Sequence, residues 1–98
     1  MISRTVDSFW NSFYDLPDEM QIVTRKKFII WQLNPFHPSL RFKCVNSSEN
    51  IWSVRISRDY RTLGVMNVNE IIWYWVGSHK EYEKLLKHIY ENDIKNSK

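Results

Sequence analysis

The spacing of apolar positions changes twice along this chain. Val6, Phe9, Trp10, Phe13 and Tyr14 fall at i, i+3, i+4, i+7 and i+8, one face of a helix. Leu16-Pro17-Asp18-Glu19 then restarts the chain, because proline suits a first helical turn and acidic residues suit its positive end. A second helix is predicted from about Pro17 to Leu33. Met20, Val23, Ile30 and Trp31 form one stripe on it, and Ile22, Ile29 and Leu33 another. Two stripes predict a helix packed between its partner helix and a sheet. Pro35 and Pro38 then forbid both helix and central strand.

Beyond Ser39 the period becomes two. Leu40, Phe42 and Cys44 alternate with Arg41, Lys43 and Val45, and Trp52, Val54 and Ile56 with Ser53, Arg55 and Ser57. A third strand runs from Tyr60 to Met66, after a tight turn at Arg58-Asp59. Ile71 to Val76 is apolar throughout, so it belongs in the middle of the sheet with both faces covered. Ser78 with Glu81 reads as a capping box, and Tyr82, Leu85, Leu86, Ile89 and Tyr90 as the stripe of a last helix. The polar tail from Asn92 is expected to fray. The order α-α-β-β-β-β-α predicts an α+β fold. Two N-terminal helices pack on an antiparallel sheet of about four strands, followed by a C-terminal helix.

At 98 residues the chain is expected to be one domain, residues 1–98. Five Trp, five Tyr and five Phe let few side chains fill its small core. Cys44 is the only cysteine, so neither a disulfide nor a cysteine-based metal site is expected. No signal peptide and no membrane-spanning run is visible, which predicts a soluble, cytoplasmic protein.

The net charge of +3 is modest, but its distribution is uneven. Arg41, Lys43, Arg55, Arg58 and Arg61 lie in the middle, opposed there only by Glu49 and Asp59. If Trp52, Val54 and Ile56 face the helices, Arg55 projects the other way, with Arg41 and Lys43, and Arg61 lies nearby. Such a face is either a solvated surface or a phosphate site. His79 falls at the first position of the last helix, where anions are favoured and an imidazole can move a proton, unless it is a surface residue without a role. Tyr82 lies one turn on and belongs to the core or reaches the sheet edge. His37 sits in the loop before the first strand.

Four stretches together resemble the RelE/ParE toxin superfamily. They are Asn34 to Leu40 (N-P-F-H-P-S-L), Trp52 to Ile56 (W-S-V-R-I), Asp59-Tyr60-Arg61, and Trp75 to Tyr82 (W-V-G-S-H-K-E-Y). The resemblance covers nearly the whole chain and implies the same fold. It implies a toxin of a type II toxin–antitoxin system with a cognate antitoxin. Many members cleave mRNA, often on the ribosome, without metal or cofactor. It assigns catalytic roles to Arg61, Arg55, His79 and Tyr82, and one branch has an active-site histidine before the first strand, here His37; with His37, the basic residues Lys43, Arg41, Arg58 and Lys80 are candidate substrate contacts. One departure is Ser53, which stands where RelE carries a lysine. ParE-type members share the fold, poison DNA gyrase and cleave nothing, which is one alternative; an inactive member kept as a binding module is the other.

Overall fold

The structure, a computed structural model, describes residues 1–96, with side chains as far as residue 89. The elements are β1 (Ile2–Thr5), α1 (Asp7–Tyr14), α2 (Asp18–Leu33), β2 (Lys43–Asn46), β3 (Ile51–Ser57), β4 (Tyr60–Asn67), β5 (Glu70–Ser78) and α3 (His79–Asn96). The class is the expected α+β. The side chain of Tyr90 and residues 97–98 lie outside the described residues. The rest of the tail expected to fray is helical, as α3 reaches Asn96. No described helix is long and apolar enough to cross a membrane.

The sheet has five strands, in the order β1-β5-β4-β3-β2. The pairings are antiparallel except that β1 runs parallel to β5. β1 corrects the four-strand expectation. Ile2-Ser3-Arg4-Thr5 carries no apolar alternation, so nothing local marks it as a strand. It is held by its partner: Arg4 Nε meets Glu70 Oε2 at 2.7 Å, and the Trp73 indole N–H donates to Ser3 Oγ at 2.9 Å.

Two cores lie on opposite faces of the sheet. On one face Phe9 and Phe13 of α1 and Trp31 of α2 meet Phe42, Val54, Ile56, Ile71 and Trp73. Trp31 and Trp73 pack edge to face with centroids 5.5 Å apart, a favoured aromatic geometry. On the other face Ile51, Leu63 and Tyr82 are buried, flanked by Leu85, Leu86 and Ile89 of α3. This corrects the picture of a bare polar sheet face, because α3 covers part of it and Ser53 is buried there. A bulge makes the two faces compatible. Leu63 pairs with Trp75 and Gly64 with Trp73, which leaves Tyr74 as an extra residue. Tyr74 and Trp75 therefore both pack toward the second core. Burial pushes the Tyr74 hydroxyl up to about 12.

Three further details differ from the pattern reading. The outer stripe of α2 is not packed: Ile22, Ile29 and Leu33 are exposed, while Met20, Val23, Ile30 and Trp31 join the first core. Val6 and Tyr14, at the ends of the α1 stripe, are exposed too. The chain at Leu40 is a short 3₁₀ turn (Pro38–Leu40), so β2 begins only at Lys43 and Cys44 is exposed. Pro38 opens this turn, and Arg41 ends it in the left-handed region at φ 45°.

Gly64 yields a stability prediction. A Cβ there would lie 2.7 Å from Trp73 Cε3 and 2.9 Å from Ile71 Cγ1, inside the first core. Gly64→Ala should therefore cost about 1–3 kcal/mol through overpacking. A thermal melt should show Tm lower by about 4–8 °C per kcal/mol lost. An unchanged Tm would mean that this contact relaxes freely.

Candidate functional site

The basic cluster is built by strand register. Arg55 of β3 pairs directly with Arg61 of β4, and Arg61 pairs on its other side with Gly77 of β5. Cross-strand partners share a face, here the face of α3. Like charges directly opposite are destabilising, so this pair holds unbalanced positive potential.

The Arg61 guanidinium is fixed from behind. The two N–H of its Nη1 are shared among three carbonyl oxygens of the β3–β4 turn: Ser57 at 2.6 Å, Tyr60 at 2.9 Å and Arg58 at 3.1 Å. Among the described residues nothing bonds its Nε or Nη2. That free edge is the fork which grips phosphate oxygens two at a time. Burial lowers the Arg61 pKa, the charge of Arg55 lowers it further, and Arg41 adds to this; Tyr82 and Asp59 oppose them. The charges of Arg55 and Arg41 thus both act on Arg61. Arg41 is the left-handed residue that ends the 3₁₀ turn, a strained backbone of the kind that clusters at functional sites.

The start of α3 forms the second wall. Ser78 Oγ accepts from the Glu81 N–H at 3.2 Å and donates to Glu81 Oε1 at 3.1 Å, the cap read from the sequence. The backbone N–H of His79 donates to the Asp59 carbonyl at 2.6 Å. This bond ties the helix start to the turn that holds Arg61. The His79 side chain is 41 % exposed, and its Nδ1 lies 3.4 Å from Glu83 Oε1. Its ring lies 5.7 Å from that of Tyr82. Tyr82 is buried, with its hydroxyl 3.4 Å from Ser53 Oγ. Its place suits backing Arg61 and His79 better than stacking on a free base.

Strand register thus joins Arg55 to Arg61, the charge of Arg41 acts on Arg61, and the Asp59–His79 bond ties the start of α3, with His79 and Tyr82, to the turn that holds Arg61. Lys43 is exposed on β2 opposite Ser53, on the same face. Arg58 and Lys80 are exposed, in the turn and in the first turn of α3. His37 is engaged locally: its Nδ1 accepts from the Ser39 N–H at 3.2 Å and lies 2.9 Å from Ser39 Oγ. Two contributors were missed in the sequence. Glu83 stands i, i+4 from His79, a spacing that brings its carboxylate to the His79 ring. Asp59 acts through its backbone carbonyl, which no sequence pattern reveals. Among the described residues no group of three or more His, Cys, Asp or Glu side chains is placed to hold a metal ion.

A family model for the ParE-like toxin domain matches residues 25–84. The chain belongs to this family. Membership makes it a toxin of the RelE/ParE superfamily, as its motifs implied. The match includes Arg41, Arg55, Arg61, His79 and Tyr82. The fold is similar to that of the YoeB/ParE toxin from Agrobacterium tumefaciens, with 14 % identity and a TM-score of 0.63 over 81 % of this chain and 99 % of that one. It is also similar to the antitoxin–toxin complex RelB–RelE from Methanococcus jannaschii, with 19 % identity and a TM-score of 0.62 over 84 % of this chain and 96 % of that one. No curated protein sequence matches the chain.

Proposed function

We propose that this ParE-like toxin is an endoribonuclease that cleaves mRNA in the cytoplasm and so blocks translation. The observation that carries the reading is the free guanidinium edge of Arg61, held opposite Arg55 on a turn that also bonds the backbone of His79. In the reaction the 2′-oxygen of RNA bonds to the adjacent phosphorus and the bond to the 5′-oxygen breaks. One proton leaves the 2′-hydroxyl and one arrives on the 5′-oxygen. The products are a cyclic phosphate and a 5′-hydroxyl. Arg61 and Arg55 would hold the extra negative charge of the transition state, usually the largest contribution in such chemistry. His79 would carry one of the protons, with Glu83 at its Nδ1 to orient the ring. The reaction is written through these residues alone and needs neither metal nor cofactor.

A cognate antitoxin completes the proposal, supported by the antitoxin–toxin complex among the similar structures. The alternative is a non-enzymatic toxin acting on DNA gyrase, which the ParE-like description of the family favours. One experiment separates them. Purified protein is incubated with mRNA, with and without ribosomes, and in parallel with gyrase and relaxed plasmid. RNA cleavage that the co-purified antitoxin suppresses is the expected result. Intact RNA together with blocked supercoiling would overturn it.

A further inference from the structure

The site described above accounts for the phosphate but not for the base attached to it. A cavity of about 230 Å³ opens beside it, at the outer edge of β5. Its walls include Asp15, Tyr60, Trp75, Gly77, Ser78 and Glu81. It exists because β1 stops short. β1 pairs with β5 only as far as Trp73, and α1 takes over the edge, with Ser8 Oγ donating to the Tyr74 carbonyl and Val76 N–H donating to Ser12 Oγ. The end of α1 then leaves Asp15 facing the end of β5 across the gap.

Two residues join this cavity to the arginine cluster. Gly77 and Ser78 line it and pair with Arg61 and Tyr60. The Trp75 indole lies over Gly77, so close that a Cβ on residue 77 would clash with Trp75 Cζ2. The indole therefore borders both Arg61's strand neighbour and the cavity. Flat aromatic walls accept a base by stacking, and bases are the planar groups that accompany a phosphate.

The polar groups of the cavity choose among bases. Asp15 is exposed, and among the described residues its carboxylate has no hydrogen bond or ion pair. Glu81 shares its carboxylate with the Ser78 hydroxyl. Carboxylates only accept hydrogen bonds. Guanine offers two adjacent N–H donors on its Watson–Crick edge, whereas adenine, cytosine and uracil each set an acceptor beside the donor. The same carboxylates repel phosphate, which points the strand base-inward here and phosphate-inward at Arg61.

We infer that this cavity is the subsite for a guanine base next to the scissile phosphate, read by Asp15 and stacked against Trp75. The inference rests on the ribonuclease reading, and its test separates the two. Wild-type, Asp15→Asn and Asp15→Lys proteins are incubated with an RNA pool carrying all four bases at every position, and the 5′-hydroxyl ends are mapped by sequencing. Wild-type cuts should be enriched for guanine at one position flanking the cut. Asp15→Lys should remove that enrichment and slow cutting at guanine sites by about tenfold or more, and Asp15→Asn should weaken it. Thermal melts of both variants should match wild type, since the Asp15 side chain is exposed and unbonded. If wild type cuts RNA without guanine preference, or if the preference survives Asp15→Lys, the subsite is wrong while the ribonuclease reading stands. Loss of antitoxin binding in Asp15→Lys with an unchanged cut pattern would assign the cavity to a cationic side chain of the partner and overturn it likewise. If wild type cuts no RNA, both readings fall.

Discussion

Arg61→Ala is expected to abolish toxicity and yield a folded chain that still binds its antitoxin. The Arg61 side chain belongs to neither core. Its removal frees three turn carbonyls, which water can reach, and relieves the repulsion with Arg55. What is lost is the fixed fork aimed at the phosphate. Losing one such preorganised donor slows catalysis by about 10²–10³-fold. Arg61→Lys keeps the charge and loses the fork, so it should fall between wild type and alanine. Growth after induction, the RNA cleavage rate and a thermal melt measure the three parts of this claim. Wild-type cleavage by a folded Arg61→Ala protein would remove Arg61 from the active site.

His79→Ala should lower the cleavage rate by about two to four orders of magnitude, the contribution of a general acid or base. The fold should survive, because the bond from residue 79 to the Asp59 carbonyl is made by the backbone N–H, which alanine keeps. The side chain itself is 41 % exposed and contributes little to burial. Single-turnover cleavage on a short RNA would isolate the chemical step from product release. Full toxicity in both alanine variants would move the assignment to the gyrase-directed toxin, in which a protein surface and not a phosphate pocket does the damage.

The period of the apolar positions was enough to place α1, α2, β3, β4, β5 and α3, because each of these buries one regular face or, in β5, both. It also set the side of Arg55, which must face away once Val54 and Ile56 face the helices. The two-residue turn alone would put Arg61 opposite Ile56, and the bulge between Arg55 and Ser57 brings it opposite Arg55 instead. The cap at Ser78 put His79 at the start of α3 through a purely local hydrogen-bond pattern.

Where a residue's state depends on a distant partner, only the tertiary structure decided it. β1 is a strand because β5 offers it hydrogen bonds and Glu70 a charge, and its own four residues bury little. The outer stripe of α2 stays exposed because the first core is already filled from the other side, and an apolar residue carries no label saying which neighbour will cover it. Tyr82 is buried in the second core, its ring 5.7 Å from that of His79, because α3 folds back over the sheet. The free edge of Arg61 exists because three turn carbonyls, identical in every residue type, happen to converge on its other nitrogen. Side-chain chemistry and periodicity are written residue by residue, whereas the aim of a backbone carbonyl is set by the path of the whole chain.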